Sequence, residues 1–226
     1  MNIECYTWDV VNSNSWLVTE GEKGILFDAV ENDKLFCDIQ RLDELIIVLT
    51  HAHFDHIVGL NRLRSLKPSA EVLCTEKCSE YLGNTYRNMS AIAEIFMEFY
   101  KPDEQYERAI VPFVCEKAEK TFFGHKDFEW CGHRISLECV YGHSDDSLIA
   151  TIDNRYMFSG DTILSIPTVT RITTGSTKKF WTEDMPKILK MKVDRVYPGH
   201  GPDGGLEEMI KVNSIPGKYK ELVWKE

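Results

Sequence analysis

The sequence predicts an α/β fold in which two sheets pack between helices, and three observations carry that expectation. Strand-like runs open the chain, strand–helix units follow, and strands and strand–helix units then recur, the order that layered folds require. Continuous apolar runs such as Leu45-Ile46-Ile47-Val48-Leu49 have the pattern of strands covered on both faces. The 226 residues are 43% hydrophobic and 27% charged, enough apolar material for one large core. No repeat, low-complexity block or Pro/Gly/Ser linker divides the chain, so a single domain over 1–226 is expected.

The elements follow in order. Ile3 to Trp8, Ser15 to Thr19 and Ile25 to Phe27 read as strands, the last two joined by the Gly21-Glu22-Lys23-Gly24 turn. A helix is expected over Asp33 to Leu42, then the buried strand Leu45 to Leu49. A second helix runs from about Ile57 to Ser65 and stops before Pro68. Glu71 to Cys74 is a strand and Glu76 to Leu82 a helix. Residues from about Phe122 to Ile152 alternate strands with tight turns, and Tyr156 to Phe158 is another buried strand. Trp181 to Met191 is expected as helix, Arg195 to Tyr197 as strand and Leu206 to Val212 as a short helix. The stretch 84–118 is left over as a helical insertion. Met89, Ile92, Ala93, Phe96, Phe99 and Tyr100 recur there at helical spacing, with Asn88 to cap the start and Pro102 to mark the end. Its apolar face needs cover, either as a lid over a substrate cleft or as a contact with a second copy in a homodimer.

Composition narrows the function. Acidic residues number 36 against 26 Lys plus Arg, a net charge of −10, which argues against binding phosphate backbones. No apolar run approaches the roughly 20 residues that span a bilayer. The opening Met1-Asn2-Ile3-Glu4-Cys5 lacks the basic and apolar regions of a signal peptide. Seven scattered cysteines without a Cys-x-x-Cys pair read as buried free thiols in a reducing cytoplasm. The expected partner is a small-molecule substrate, not nucleic acid or membrane.

The chemistry is concentrated at strand ends. Directly after the buried strand stands Thr50-His51-Ala52-His53-Phe54-Asp55-His56, three histidines and one aspartate within six residues. Imidazole and carboxylate suit zinc and borderline metals such as iron and manganese. On an extended segment His51 and His53 point the same way, and Asp55 and His56, past the bend, can face a second ion. His143 in Tyr141-Gly142-His143-Ser144, Asp161 in Phe158-Ser159-Gly160-Asp161-Thr162 and His200 in Tyr197-Pro198-Gly199-His200-Gly201 each follow a strand and a glycine. Five histidines and two aspartates at four strand ends are the ligands two adjacent ions need with one carboxylate shared. His125 and His133 lack this setting and read as surface or structural residues. Lys178, Lys179 and Arg171 read as a solvated basic face, and Tyr141 as either a packing residue or a donor to substrate.

His51-Ala52-His53-Phe54-Asp55-His56, Gly142-His143-Ser144, Ser159-Gly160-Asp161-Thr162 and Tyr197 to Pro202 together resemble the signature of the metallo-β-lactamase superfamily of metal-dependent hydrolases. That resemblance implies a four-layer αβ/βα sandwich. It implies that His51, His53 and His143 hold one metal, that Asp55, His56 and His200 hold the other, and that Asp161 bridges them. Asp28, after the strand Ile25 to Phe27, is similar to the family's first motif and implies a residue that orients a ligand through hydrogen bonds. The tail Tyr197 to Pro202 is most similar to small glyoxalase II-like hydrolases. Asp145-Asp146-Ser147 and the Thr-rich stretch Ser165 to Lys179 depart from that group's pattern, and the 26 residues after His200 are too few for its glutathione-recognition domain. The implied activity is hydrolysis of an ester-like bond, thioester or lactone first, by a hydroxide held between two Zn2+, with Asp55 as proton acceptor. Fe or Mn would suit the same ligands. A non-heme iron oxidoreductase of the persulfide dioxygenase kind, using His51, His143 and Asp161 on one iron, is the first alternative. A phosphodiesterase or a non-catalytic binding protein on the same fold is the second.

Overall fold

A computed structural model describes residues 1–100, 110–166 and 174–213. The chain divides into two compact units, residues 1–121 and 122–226. Each is built on one mixed sheet with helices.

The first unit carries a six-stranded sheet in the order β1-β2-β3-β4-β5-β6. Strands β1 (Asn2–Trp8) and β2 (Ser13–Glu20) form an antiparallel hairpin, with Asn2 opposite Thr19 and Trp8 opposite Ser13. The chain then turns at Gly21, in the left-handed region at φ 59°, into β3 (Lys23–Phe27). From here the sheet becomes parallel. Helix α1 (Asp33–Ile39) carries the chain back to β4 (Glu44–Val48), which pairs with β3 in the register Ile25 opposite Ile46. Asn32 caps α1 by accepting the Leu35 amide at 3.0 Å. In β4 Leu45, Ile47 and Val48 are buried, as the apolar run implied. Strand β5 (Glu71–Thr75) pairs parallel to β4, and α4 (Glu76–Leu82) starts at Thr75, whose hydroxyl accepts the Cys78 amide. Leu26, Phe36, Ile39, Ile47, Ile57, Leu60 and Val72 are central to this unit's core.

The helix expected from Ile57 to Ser65 is two short helices, α2 (Phe54–Ile57) and α3 (Leu60–Leu66). Gly59 separates them. Its amide donates to Ala29 O at 2.8 Å, and a Cβ there would stand 2.3 Å from Val30 O, so backbone is packed directly on backbone. α1 ends at Ile39, short of Leu42.

In the 84–118 stretch Met89 takes a left-handed conformation, φ 65°, and begins a 3-10 turn (Ser90–Ile92) that leads into α5 (Ala93–Tyr100). The cap position of that turn is Met89, and Asn88 caps no helix: its side-chain oxygen accepts the Ser90 amide just ahead of the turn. Its Nδ2 and the Ser90 hydroxyl both donate to Phe113 O, tying the returning chain to this turn. Of the expected apolar face Met89 and Ala93 are buried and Ile92 is half-buried, and Met97, which the expected face did not include, is buried as well. The side chains of Phe96, Phe99 and Tyr100, and Pro102, lie outside the described residues. After this segment β6 (Lys120–Phe122) ends the first sheet.

The second unit has a five-stranded sheet in the order β11-β10-β9-β8-β7. β7 (His125–Trp130) and β8 (His133–Cys139) are joined through Cys131 and Gly132, both at positive φ, as a two-residue hairpin turn demands. β9 (Leu148–Ile152) and β10 (Tyr156–Gly160) continue antiparallel, and β11 (Arg195–Pro198) runs parallel to β10. The connection to β11 differs from the helix expected over Trp181 to Met191. It starts earlier, as α6 (Thr177–Lys179), widens into a π turn (Phe180–Asp184), and finishes as α7 (Met185–Ile188). Pro186 accounts for the break, because it has no N–H to return to the preceding turn. α8 (Leu206–Asn213) follows β11. Val140, Ile149, Met157, Phe180, Ile188 and Val196 are central to this unit's core.

All seven cysteines are free thiols. Cys74, Cys78, Cys115 and Cys139 are buried, whereas Cys5, Cys37 and Cys131 are exposed, a partial correction of the expectation that all are internal. Among the described residues no helix is long and apolar enough to cross a membrane.

Candidate metal centre

In the first unit the ligand candidates follow β4. Past β4 the chain reaches His53, which is extended at φ −62° and ψ 143°, and then enters α2, which carries Asp55 and His56. The His56 amide donates to His53 O at 2.9 Å, which closes the bend. The His51 ring lies 4.5 Å from that of His53 and 4.3 Å from that of His56, centre to centre. His51, His53, Asp55 and His56 are all buried. His56 Nε2 is 3.5 Å from Asp55 Oδ2.

Behind these ligands Asp28 organises the imidazoles. It follows β3 in a left-handed conformation, φ 62°, with its backbone tied by Asp28 N to Val48 O and by the Ser15 hydroxyl to Asp28 O. Its carboxylate accepts the Thr50 amide at 2.7 Å, the Thr50 hydroxyl at 2.8 Å and His56 Nδ1 at 3.0 Å. A carboxylate only accepts, so His56 carries its hydrogen on Nδ1 and keeps a lone pair on Nε2. The Thr50 hydroxyl has one hydrogen, given to Asp28, so it accepts from His51 Nδ1 at 3.1 Å. His51 is thereby also held with its lone pair on Nε2. One carboxylate sets the tautomers of two ligand candidates. Ser13, whose hydroxyl donates to Asp55 O, and Ser15, which also accepts the Val30 amide, complete the frame.

In the second unit His143 follows β8, Asp161 follows β10 and His200 follows β11. Asp161 Oδ2 is 3.6 Å from His143 Nε2 and 3.6 Å from His200 Nε2. These separations exceed a hydrogen bond but match two ligands of one cation, which stand roughly 3.4 Å apart when tetrahedral bonds are ~2.1 Å. All three are buried. Gly199 N donates to Gly160 O at 2.8 Å, so the loops carrying Asp161 and His200 are stitched together.

All seven residues singled out in the sequence present a donor atom able to hold a metal ion. Nitrogen and carboxylate oxygen donors fit zinc, iron or manganese, and burying so many of them is costly without a cation to face. His125 and His133 are engaged elsewhere: His125 pairs with Asp127 and Glu138, and His133 with Asp153 at 2.7 Å. Lys179 lies over the Tyr141 ring, 4.6 Å from its centre. Arg171 lies outside the described residues. The residues that sequence reasoning passed over are Ser13, Ser15 and Thr50. Thr50 stands inside the ligand motif, and its hydroxyl was the available signal; the two serines are marked only by the fold.

Comparison with known proteins gives the fold and the family. A probable metallo-hydrolase of Streptococcus pyogenes, M6_Spy0554, is 26% identical over 200 residues, covering 85% of this chain and 81% of that protein. Beta-lactamase-like protein 2 homolog of Drosophila melanogaster is 23% identical over 217 residues, covering 88% of this chain and 63% of the longer relative. Among solved structures, the BLEG-1 B3 metallo-beta-lactamase matches with a TM-score of 0.77 at 21% identity, over 96% of this chain and 100% of that one. TTHA1623 in a di-iron-bound form matches with a TM-score of 0.70 at 22% identity, over 93% and 98%. These two likenesses show a shared fold, which is the metallo-β-lactamase fold. The family model of the metallo-beta-lactamase superfamily matches residues 8–200, from the end of β1 to the last candidate ligand, and the chain belongs to that superfamily.

Proposed function

We propose that the chain is a metal-dependent hydrolase that binds two metal ions and cleaves an ester-like bond of a small molecule, a thioester or lactone before a phosphodiester. The observation that carries this reading is the burial of all seven candidate ligands, two of whose imidazoles, His51 and His56, are already oriented by Thr50 and Asp28. In this reading His51, His53 and His143 hold one ion, Asp55, His56 and His200 hold the other, and Asp161 serves both. Ions held by these residues would supply Lewis-acid activation of water and of the carbonyl oxygen under attack. The chain's own residues do the rest. Asp28 and Thr50 keep His51 and His56 in the ligating tautomer, Asp161 places one carboxylate oxygen between two imidazoles, and Asp55 accepts the proton of the attacking water and returns it to the leaving group.

Zinc is the proposed metal. The di-iron form of one fold neighbour makes iron the metal to test against it. The test is metal content per chain by mass spectrometry, followed by a panel of small esters, thioesters and lactones. Two ions per chain are expected. His56→Ala or His200→Ala should lose one, and Asp161→Ala should weaken both. A preparation that reproducibly holds one iron, with no second site filled by added zinc, would instead favour an iron oxidoreductase using His51, His143 and Asp161.

A further inference from the structure

We propose that Asp184 is a positioning residue for His143: its carboxylate anchors the backbone that presents this imidazole, so that metal affinity depends on the carboxylate's charge. The proposal rests on His143 being a ligand. His143 lies on an irregular turn between β8 and β9, and a strip of chain over 175–184 holds that turn in place. Ser176 N donates to Tyr141 O at 2.9 Å, and Asp184 Oδ2 accepts Tyr141 N at 2.9 Å. Both backbone groups of Tyr141 are thus gripped by one segment. Around these grips the packing leaves no room for a side chain on either glycine. A Cβ on Gly142 would stand 2.5 Å from the Phe180 ring, and a Cβ on Gly175 would stand 2.0 Å from His143 O. The Asp145 amide donates to Thr174 Oγ1 just beyond. The π turn ends on Asp184, and widened turns of this kind are frequent at functional sites.

The choice of a carboxylate here is costly. Asp184 is fully buried, and its Oδ1 has no hydrogen-bond partner among the described residues. Burial pushes its carboxyl up to about 6, while the amides of Tyr141 and Gly142 and the Lys187 ammonium pull it partly back. A hydroxyl or amide side chain would accept the same amide without burying a charge. A charge held behind Tyr141 and Gly142 strengthens the bond that fixes the turn. The other ionisable groups facing it are Glu183, the Tyr141 phenol, Cys139 beside that phenol, Lys179 over its ring, and Lys187, which pairs with Glu138 at 2.6 Å.

The experiment measures Zn2+ affinity by chelator competition for the parent, Asp184→Asn, Asp184→Ala and His143→Ala, on either side of pH about 6. Circular dichroism checks the fold. Asp184→Asn should bind Zn2+ ~10–100-fold more weakly than the parent above that pH, and the ratio should shrink towards one below it, where the parent is itself protonated. If Asp184→Ala fails to fold, Asp184→Asn carries the comparison alone. Equal affinity of Asp184→Asn and the parent above that pH overturns the proposal. A loss of the same size at both pH values marks a mere structural prop and also overturns it. If His143→Ala binds two Zn2+ as tightly as the parent, the ligand reading fails, and the proposal falls with it whatever Asp184 does.

Discussion

At Asp55 the carboxylate stands 3.5 Å from His56 Nε2, while the residue's backbone carbonyl is fixed by the Ser13 hydroxyl. A group held this way can both ligate and move a proton, and its removal should affect rate more than fold. Asp55→Ala is expected to cut kcat by ~10²–10⁴-fold, the usual worth of a positioned acid–base group, with circular dichroism unchanged. A near-normal rate at normal metal content would contradict the role. Asp28 does the opposite work, touching the imidazoles only from behind. Asp28→Asn keeps the volume but offers an N–H₂ either at Oδ1, where the Thr50 amide needs an acceptor, or at Oδ2, where the Thr50 hydroxyl and His56 Nδ1 both do. Metal affinity should fall ~10–100-fold, read by chelator competition, and an unchanged affinity would show that the tautomers are set elsewhere.

Between elements, the approach of α3 to the chain after β3 runs through Gly59, with no side chain between the two backbones. Gly59→Ala would force a Cβ to within 2.3 Å of Val30 O, and neither backbone is a flexible end that can swing away. The expected loss is ~1–3 kcal/mol in urea unfolding, the range for overpacking a well-filled interior. A variant as stable as the parent would mean that the contact opens freely. The same glycine shows where the sequence was legible and where it was not. Strands β3, β4 and β10 could be read closely because each is a continuous apolar run ended by a turn residue, and the candidate ligands could be singled out because imidazoles and carboxylates seldom cluster by chance. Residues Ile57 to Ser65 looked like one helix because apolar periodicity carries through Ile57, Leu60 and Leu63. The break at Gly59 is imposed by Ala29 and Val30, some thirty positions earlier in the sequence. At Phe180–Asp184 the sequence does carry a break signal in Pro186, but helical periodicity does not register the one extra residue of a π turn. Ser13 and Ser15 act through hydroxyls whose partners lie on other segments, and composition cannot announce such partners.

For the molecule as a whole, Asp184 sets one function against stability. Its folded-state pKa of about 6 lies above the ordinary 3.8, so the folded chain holds that proton more tightly than the unfolded chain does. For a group raised in this way the stabilising contribution is complete below about 3.8 and is lost as pH rises through about 6. Above that range the native state carries a buried charge that the unfolded chain would leave in water. Asp184→Asn cannot ionise, so the comparison with the parent isolates this effect even though the amide brings its own constant cost. In metal-free protein, the stability difference between variant and parent should move in the variant's favour by ~3 kcal/mol between about pH 4 and about pH 8. Chelated protein is the right sample, because bound metal would add the pH dependence of every histidine ligand. The measurement is urea unfolding of both proteins across that range. Parallel stability curves would show that the carboxyl is solvated in the native state and that no strain is stored behind His143. Diverging curves, together with weaker Zn2+ binding by the variant above about pH 6, would mean that a charge costly to the fold is retained for the site it supports.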